Sequence, residues 1–165
     1  MVPSDALLLL PLAVAGVVLL LRRRSRRGGP TPIVMDGSNV LQWGGDVPAL
    51  ETVVRVIEAL KGRGMAPVVW FDANVGYLVG ARYMGPAPLA RALGLQEGHV
   101  FVAPKGIPAD PLLLEGAARL RARVVSNDRF RDWADAHPQV RQPGFLVRGG
   151  LRDGAVWLEL EAAVA

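Results

Sequence analysis

The segment Ile33-Val34-Met35-Asp36-Gly37-Ser38-Asn39-Val40 organises this chain of 165 residues. Its first three residues are apolar and predict a short buried strand, with Asp36 at the carboxyl end and Gly37 at a sharp turn. In open α/β sheets, ligands bind outside the carboxyl ends of the strands. A carboxylate followed three residues later by the Asn39 carboxamide offers hard oxygen ligands of the kind that Mg²⁺ or Mn²⁺ prefers. Asp36 alone is equally consistent with a cap on a turn or helix, so the rest of the chain must decide.

Downstream of this segment, short apolar runs alternate with helical spacing of apolar residues. Such alternation is typical of a parallel sheet with helices on both faces and right-handed crossovers. The predicted fold class is α/β, a three-layer sandwich with a central, mainly parallel sheet. Asp153-Gly154 predicts a hairpin turn between the last two strands. The predicted strands are residues 33–35, 67–71, 100–103, 123–126, 144–152 and 155–160, and the predicted helices are residues 47–64, two short ones within 74–95, and 111–121.

The amino-terminal part is apolar, with 16 uncharged residues from Ala6 to Leu21. A helix of this length spans about 24 Å, and the flanking residues would complete the roughly 30 Å of a bilayer core. A signal peptide is disfavoured because the chain does not begin with positive charge, and a core helix because no polar face is visible. The interpretation is a transmembrane helix that precedes the folded domain.

Five arginines follow this run, at positions 22, 23, 24, 26 and 27. Because positive flanks stay in the cytoplasm, we expect a single-pass protein of the cell membrane with its folded domain cytoplasmic. The predicted division is residues 1–29 as a membrane anchor with a basic flank and residues 30–165 as the domain.

Composition excludes several classes of site. The chain has no cysteine and only two histidines, so disulfides, zinc–thiolate sites and thiol catalysis are excluded and a histidine triad is disfavoured. The net charge of +4 comes from the arginine cluster, because residues 30–165 contain 14 basic and 14 acidic residues. Any nucleic-acid surface is therefore a local patch.

Aspartates stand at the ends of the predicted strands. Because these ends meet at one edge of a parallel sheet, four or five carboxylates would converge on one cleft. Like charges raise one another's pKa and destabilise the fold, and a bound divalent cation removes this destabilisation. Two cations about 3.5–4 Å apart would orient a phosphodiester and activate water; the alternative is that each acid caps a turn. The acids concerned are Asp36, Asp72, Asp110 and Asp128, with Asp132 one helical turn beyond Asp128.

The segment Ser126-Asn127-Asp128-Arg129-Phe130-Arg131-Asp132, together with Asp36-Gly37-Ser38-Asn39, resembles the NYN ribonucleases. These form a branch of the PIN-like nuclease superfamily, and the regnase-type members match best. The resemblance covers roughly residues 32–150 and implies a Rossmann-like PIN fold. It also implies Mg²⁺-dependent endonucleolytic cleavage of single-stranded RNA.

By this resemblance, Asp36, Asn39, Asp128 and Asp132 match positions of the metal site. Asp110 matches the second of two adjacent aspartates usual in the branch, whereas Ala109 replaces the first. The resemblance therefore assigns catalysis to Asp36, Asn39, Asp110, Asp128 and Asp132, and Mg²⁺ or Mn²⁺ binding to the four aspartates.

Other residues have alternative roles. Lys105, Arg129 and Arg131 either contact phosphates or are solvated, and Asp72 either joins the outer part of the site or starts the next helix. The tryptophans are assigned to core packing rather than RNA stacking. These are Trp70, Trp133 and Trp157.

Two functions remain. The first is a membrane-tethered, divalent-metal-dependent endoribonuclease that cleaves single-stranded RNA by metal-activated water. The second is a catalytically weakened or inactive RNA-binding or protein-interaction module on the same fold, suggested by Ala109. Retention of Asp128 and Asp132 favours the enzyme, because carboxylates repel phosphates. A phosphatase with Asp36 as nucleophile is disfavoured, because Ser38 replaces the second acid. A homo-oligomer is left open.

Overall fold

The computed structural model of the chain describes residues 14–21, 23 and 28–160. Within them, β1 (Thr31–Asp36) is the centre of a parallel sheet. It pairs with β2 (Met65–Phe71) on one side and with β4 (Val124–Val125) on the other. β3 (Val100–Val102) extends the sheet beyond β2, and β5 (Leu146–Val147) extends it beyond β4.

The strand order in this sheet is β3-β2-β1-β4-β5, and all its pairs are parallel. The chain winds from β1 toward β3 and later returns to the other side of β1. The direction of winding therefore reverses between β1 and β4, which is where α/β sheets of this kind bind ligands. The predicted α/β class with a parallel central sheet is confirmed.

Both faces of the sheet are covered by helices. Side chains along β1 therefore alternate between two apolar clusters, one on each face. Ile33 and Met35 point to the first cluster and Val34 to the second, so β1 reads as a continuous apolar run. The three-layer arrangement follows from this. Between residues 28 and 160 the helices are α1 (Gly37–Val40), α2 (Leu50–Lys61), α3 (Val75–Val79), α4 (Pro86–Leu93) and α5 (Ala109–Leu120), with 3₁₀ turns at Glu97–His99, Arg131–Trp133 and Pro138–Arg141.

The predicted strand over residues 144–152 is two strands. Its first part is β5, and after Arg148 the chain enters a separate hairpin of β6 (Gly149–Arg152) and β7 (Ala155–Leu158). Asp153 and Gly154 have φ of 52° and 76°, as a tight hairpin turn requires. The predicted turn is confirmed.

The prediction of a transmembrane anchor over Ala6–Leu21 is wrong. Within the described part of the chain no helix is long and apolar enough to cross a membrane, and residues 6–13 lie outside that part. Residues 14–21 are helical, and Val14, Val18 and Leu21 pack as one stripe against the second apolar cluster of the sheet. A core helix was rejected for lack of a polar face, but packing requires only one apolar stripe. The predicted single-pass location in the cell membrane depended on this anchor and is wrong with it.

Candidate active site

Asp36 lies at the point where the strand order reverses, at the end of β1. Its side chain is 8% exposed, and both its oxygens accept hydrogen bonds. Oδ1 accepts the backbone N–H of Asn39 at 3.1 Å, and Oδ2 accepts the hydroxyl of Ser126 at 2.8 Å. Asp36 therefore caps α1 and also joins the carboxyl end of β1 to that of β4, so the two roles are combined in one residue.

Glycine is required at position 37 because there is no space for a side chain, and not because of the backbone conformation. Its φ is not positive, but a Cβ at this position would lie 2.4 Å from Cε1 of the buried Phe71 ring. The sharp turn predicted from this glycine is instead a helix start packed directly on β2.

Ser126 connects the acids that follow β1 and β4. While its hydroxyl donates to Asp36, its oxygen accepts the backbone N–H of Asp128 at 3.1 Å. Asp128 Oδ1 in turn accepts the N–H of Phe130 at 2.7 Å. Phe130 has a φ of 49° and is buried, so the segment after Asp128 is a turn. The inference that Asp128 and Asp132 share one helix face is wrong, because the 3₁₀ turn begins only at Arg131.

Asn39 has a fixed carboxamide. Its Oδ1 accepts the indole N–H of Trp43 at 2.9 Å and the backbone N–H of Asn127 at 3.0 Å. The Asn127 side chain is itself paired with Gly149, donating to its carbonyl oxygen at 2.9 Å and accepting its N–H at 3.1 Å.

Asp110 is the second residue of α5, and Asp72 holds the start of that helix. Asp72 Oδ1 accepts the N–H of Ala109 at 3.2 Å, and the Asp72 N–H donates to Ser38 Oγ at 2.9 Å. The side chain of Asp72 thus caps α5, which lies 37 residues further along the chain, rather than the helix that follows β2.

The carboxylates are electrostatically coupled. Burial raises the pKa of Asp36 to about 6, and the charges of Asp110 and Asp72 add to that increase. Burial also raises the pKa of Asp110, followed by the charges of Asp128, Asp72 and Asp132, while a side-chain hydrogen bond with Trp133 opposes it. In the described part of the chain none of these acids takes part in an ion pair. No basic side chain in that part of the chain therefore makes direct ionic contact with these carboxylates.

A cleft opens beside this cluster. Arg129 and Arg131 lie in it with two of the predicted acids, whereas the exposed Lys105 is not among its lining residues. Asp36, Asp110 and the fully buried Ser126 are not among its lining residues. The lining residues are Asn39, Asn127, Asp128, Arg129, Arg131 and Asp132.

The tryptophans differ in environment. Trp70 is buried and stacks on Phe101 with ring centroids 4.7 Å apart, and Trp133 packs partly buried against the second cluster. Trp157 is 37% exposed, with the Arg152 guanidinium 5.9 Å from its ring centroid. The prediction of core packing is confirmed for Trp70 and wrong for Trp157.

The donor set fits a hydrated hard cation better than a closed cage. Within residues 14–21, 23 and 28–160, no group of three or more His, Cys, Asp or Glu side chains is placed to hold one metal ion. Both Asp36 oxygens and Oδ1 of Asp128 each accept one hydrogen bond, which leaves lone pairs on these oxygens for a cation or its waters. Mg²⁺ is commonly bound through one or two carboxylates with several waters retained, and carboxylates without an ion-pair partner match that chemistry.

Sequence pattern did not assign a role to three supporting residues, Ser126, Trp43 and Asn127. Ser126 and Asn127 were inside the recognised motif, and Ser126 is fully buried despite its hydroxyl. Trp43 is one turn after Asn39, a spacing that would have placed its indole beside the carboxamide on a helix.

Comparison with known families and structures agrees with this geometry. The profile of the Zc3h12a-like ribonuclease NYN domain matches residues 29–143. Two structures of the nuclear proteinaceous RNase P 2 (PRORP2) of Arabidopsis thaliana are similar in fold, with TM-scores of 0.61 and 0.55 at 18% and 16% identity.

The alignments cover 98% and 96% of this chain but only 36% and 37% of those proteins. Comparison with curated proteins gave no match. The resemblance to NYN ribonucleases noted in the sequence is therefore confirmed, and the chain belongs to the Zc3h12a-like ribonuclease NYN family.

Proposed function

We propose that this protein is a divalent-metal-dependent endoribonuclease that cleaves single-stranded RNA by hydrolysis, with residues 30–165 as its catalytic domain. Membership of an NYN family supports a nuclease acting on RNA. The metal dependence is proposed from one observation. Electrostatically coupled carboxylates without ion-pair partners lie where the strand order of the sheet reverses.

Asp36, Asp110, Asp128 and Asp132 would hold Mg²⁺ or Mn²⁺, some of them through water. Nucleases of the NYN and PIN-like type generally use divalent metals. When bound, such an ion lowers the pKa of a water and stabilises charge on the phosphate. The raised pKa of Asp36 supports this assignment, because a cation would favour the ionised form that burial disfavours.

The remaining residues would bind and orient the RNA. Arg129 and Arg131 lie in the cleft and would neutralise phosphates beside the acids. Ser126 would hold Asp36 and Asp128 in register by its two hydrogen bonds.

A second function is favoured by one observation. Ala109 takes the place of an acid, is 5% exposed, and donates its N–H to Asp72. A site weakened in this way would bind RNA without cutting it.

Incubation of the full-length protein with labelled single-stranded RNA separates the two functions. The enzyme predicts internal cleavage with Mg²⁺ or Mn²⁺, none in EDTA, and loss of cleavage in Asp132→Asn. Binding of RNA with no cleavage in either metal would favour the non-catalytic module.

A further inference from the structure

The carboxamide of Asn39 has one orientation, because both of its neighbours are donors only. The indole N–H of Trp43 and the backbone N–H of Asn127 point at the same atom, at 2.9 and 3.0 Å. Neither nitrogen can accept a hydrogen bond. The atom between them must therefore be the oxygen, so the chemistry of the partners fixes the amide assignment.

This orientation determines what Asn39 offers to a ligand. A carboxamide oxygen has two lone pairs, and both are used by Trp43 and Asn127. The opposite group, Nδ2, has no hydrogen-bond partner among the residues that the structure describes, although Asn39 lines the cleft with Asp128 and Arg131. Asn39 thus presents a donor to the cleft rather than an oxygen ligand.

We propose that Asn39 donates from Nδ2 to a non-bridging phosphate oxygen of bound RNA, and that Trp43 and Asn127 are positioning residues for this contact. The proposal rests on the ribonuclease function proposed above and deepens it. It replaces the interpretation of Asn39 as a metal ligand, because ligation would require its oxygen to give up a donor.

The positioning depends on Gly149, the first residue of β6. Both backbone polar groups of Gly149 bond the side chain of Asn127. A Cβ on Gly149 would lie 2.7 Å from Cζ3 of Trp43, so the indole is packed directly on its backbone. Gly149 therefore supports both donors that orient Asn39. It lies beyond residues 29–143, which the family profile matches, so the C-terminal hairpin contributes to the site in this chain.

Two binding measurements on the full-length protein test the role of Asn39. The first is the Kd for a fluorescein-labelled single-stranded RNA in EDTA, by anisotropy. The second is the rise in melting temperature with Mg²⁺ in the absence of RNA. Asn39→Ala should weaken RNA binding roughly ten- to a hundredfold, the usual effect of losing one hydrogen bond to a charged group. The Mg²⁺-induced rise in the melting temperature of Asn39→Ala should equal that of the wild type. Unchanged RNA affinity together with a lost Mg²⁺ effect would overturn the proposal in favour of a metal ligand.

Asn39→Asp removes the Nδ2 donor while keeping the shape of the side chain. The aspartate accepts from Trp43 and Asn127 as before but has no hydrogen to donate, so RNA affinity should fall at least as far as in Asn39→Ala. Asn74→Asp, at an exposed position, adds the same charge and should change affinity much less. Equal RNA affinity in Asn39→Asp and the wild type would contradict donation.

Trp43→Phe tests the positioning by removing one donor while keeping an aromatic ring. We expect a smaller loss of RNA affinity, roughly three- to tenfold. Trp157→Phe, at an exposed position of the hairpin, serves as the matched control. Trp43→Phe with wild-type RNA affinity would show that the indole does not position Asn39.

The two proposals fail separately. RNA cleavage by the wild type with unchanged metal-free RNA binding by Asn39→Ala removes only the donor role. Absence of cleavage with weakened binding by Asn39→Ala removes only the nuclease.

Discussion

Ser126 donates its hydroxyl hydrogen to Oδ2 of Asp36 across 2.8 Å, although the two residues are 90 positions apart in the chain. The serine is fully buried, and the bond joins the carboxyl ends of two neighbouring strands. Because it favours the ionised form of Asp36, this bond opposes the increase in pKa that burial causes.

Ser126→Ala should therefore raise the pKa of Asp36 further and lower activity most at acidic pH. The expected change is an acidic limb of the pH–activity profile moved to higher pH, with a stability loss of about 1–3 kcal/mol from the unsatisfied buried acceptor. Profiles measured between pH 5 and 8, with Mg²⁺ saturating, check this. Ser38→Ala is the control, because the Ser38 hydroxyl oxygen accepts the backbone N–H of Asp72 instead. It should move the acidic limb of the profile less than Ser126→Ala does.

The buried carboxyl of Asp36 predicts a pH dependence of stability in the metal-free protein. Its folded pKa of about 6 lies above the unfolded value of roughly 3.9. Between these values the folded state binds more protons than the unfolded state, so stability is highest below pH 4 from this group and falls as the pH rises through 6.

The raised pKa corresponds to on the order of 3 kcal/mol. Urea unfolding in EDTA at pH 5 and pH 7 covers part of this range and should show a fall of on the order of 1 kcal/mol. Asp36→Asn should reduce that fall. An identical fall in that variant would mean that Asp36 is not the titrating group.

Ala109→Asp would restore the acid that the resemblance expects. Because the position is buried beside Asp72 and Asp110, we expect the metal-free protein to lose on the order of 1–3 kcal/mol. Mg²⁺ should then stabilise the variant more than the wild type, in proportion to RT ln(1 + [L]/Kd), and cleavage should be faster. Melting temperatures over a Mg²⁺ titration and initial rates check both parts. A variant with lower stability and no gain in Mg²⁺ response would show that this acid does not join the metal site.

Gly37→Ala tests the packing under the site. Its Cβ would meet the ring of Phe71 at 2.4 Å, and overpacking of this kind costs typically about 1–3 kcal/mol. Gly62→Ala, where the nearest atom is at 3.4 Å and φ is −60°, should be neutral or slightly stabilising. Equal unfolding free energies for the two variants would contradict the close contact between α1 and β2.

Sequence periodicity was sufficient to predict the parallel sheet, because strands buried on both faces appear in the sequence as continuous apolar runs. It also placed Asp36, Asn39 and Asp128 near one another, since each follows a strand whose end meets the others at one edge. Local pattern could not give the bond of Ser126 to Asp36 or that of Asn127 to Gly149, because these depend on which strands become neighbours. The turn at Phe130 was missed because a left-handed bulky residue is rare and is held there by Asp128.

The apolar amino-terminal segment was wrongly predicted to span a membrane. Hydropathy alone does not distinguish a helix that lies in a membrane from a helix that packs on a sheet. Val14, Val18 and Leu21 bury one stripe on the domain, while Leu19 and Leu20 stay exposed. The charges of Asp72, Asp128 and Asp132 act on Asp110, but in the part of the chain that the structure describes no three acids are placed to hold one ion. The assignment of these acids to a metal site stays a prediction.

The central claim is hydrolysis of RNA with a divalent ion, and the chemistry of the product ends tests it most directly. Full-length protein is incubated with single-stranded RNA and Mg²⁺, and the fragments are analysed by mass spectrometry. Attack by water on phosphorus predicts a 5′-phosphate on one fragment and a 3′-hydroxyl on the other, with cleavage abolished by EDTA and by Asp128→Asn. A 2′,3′-cyclic phosphate, or undiminished cleavage in EDTA, would contradict the account.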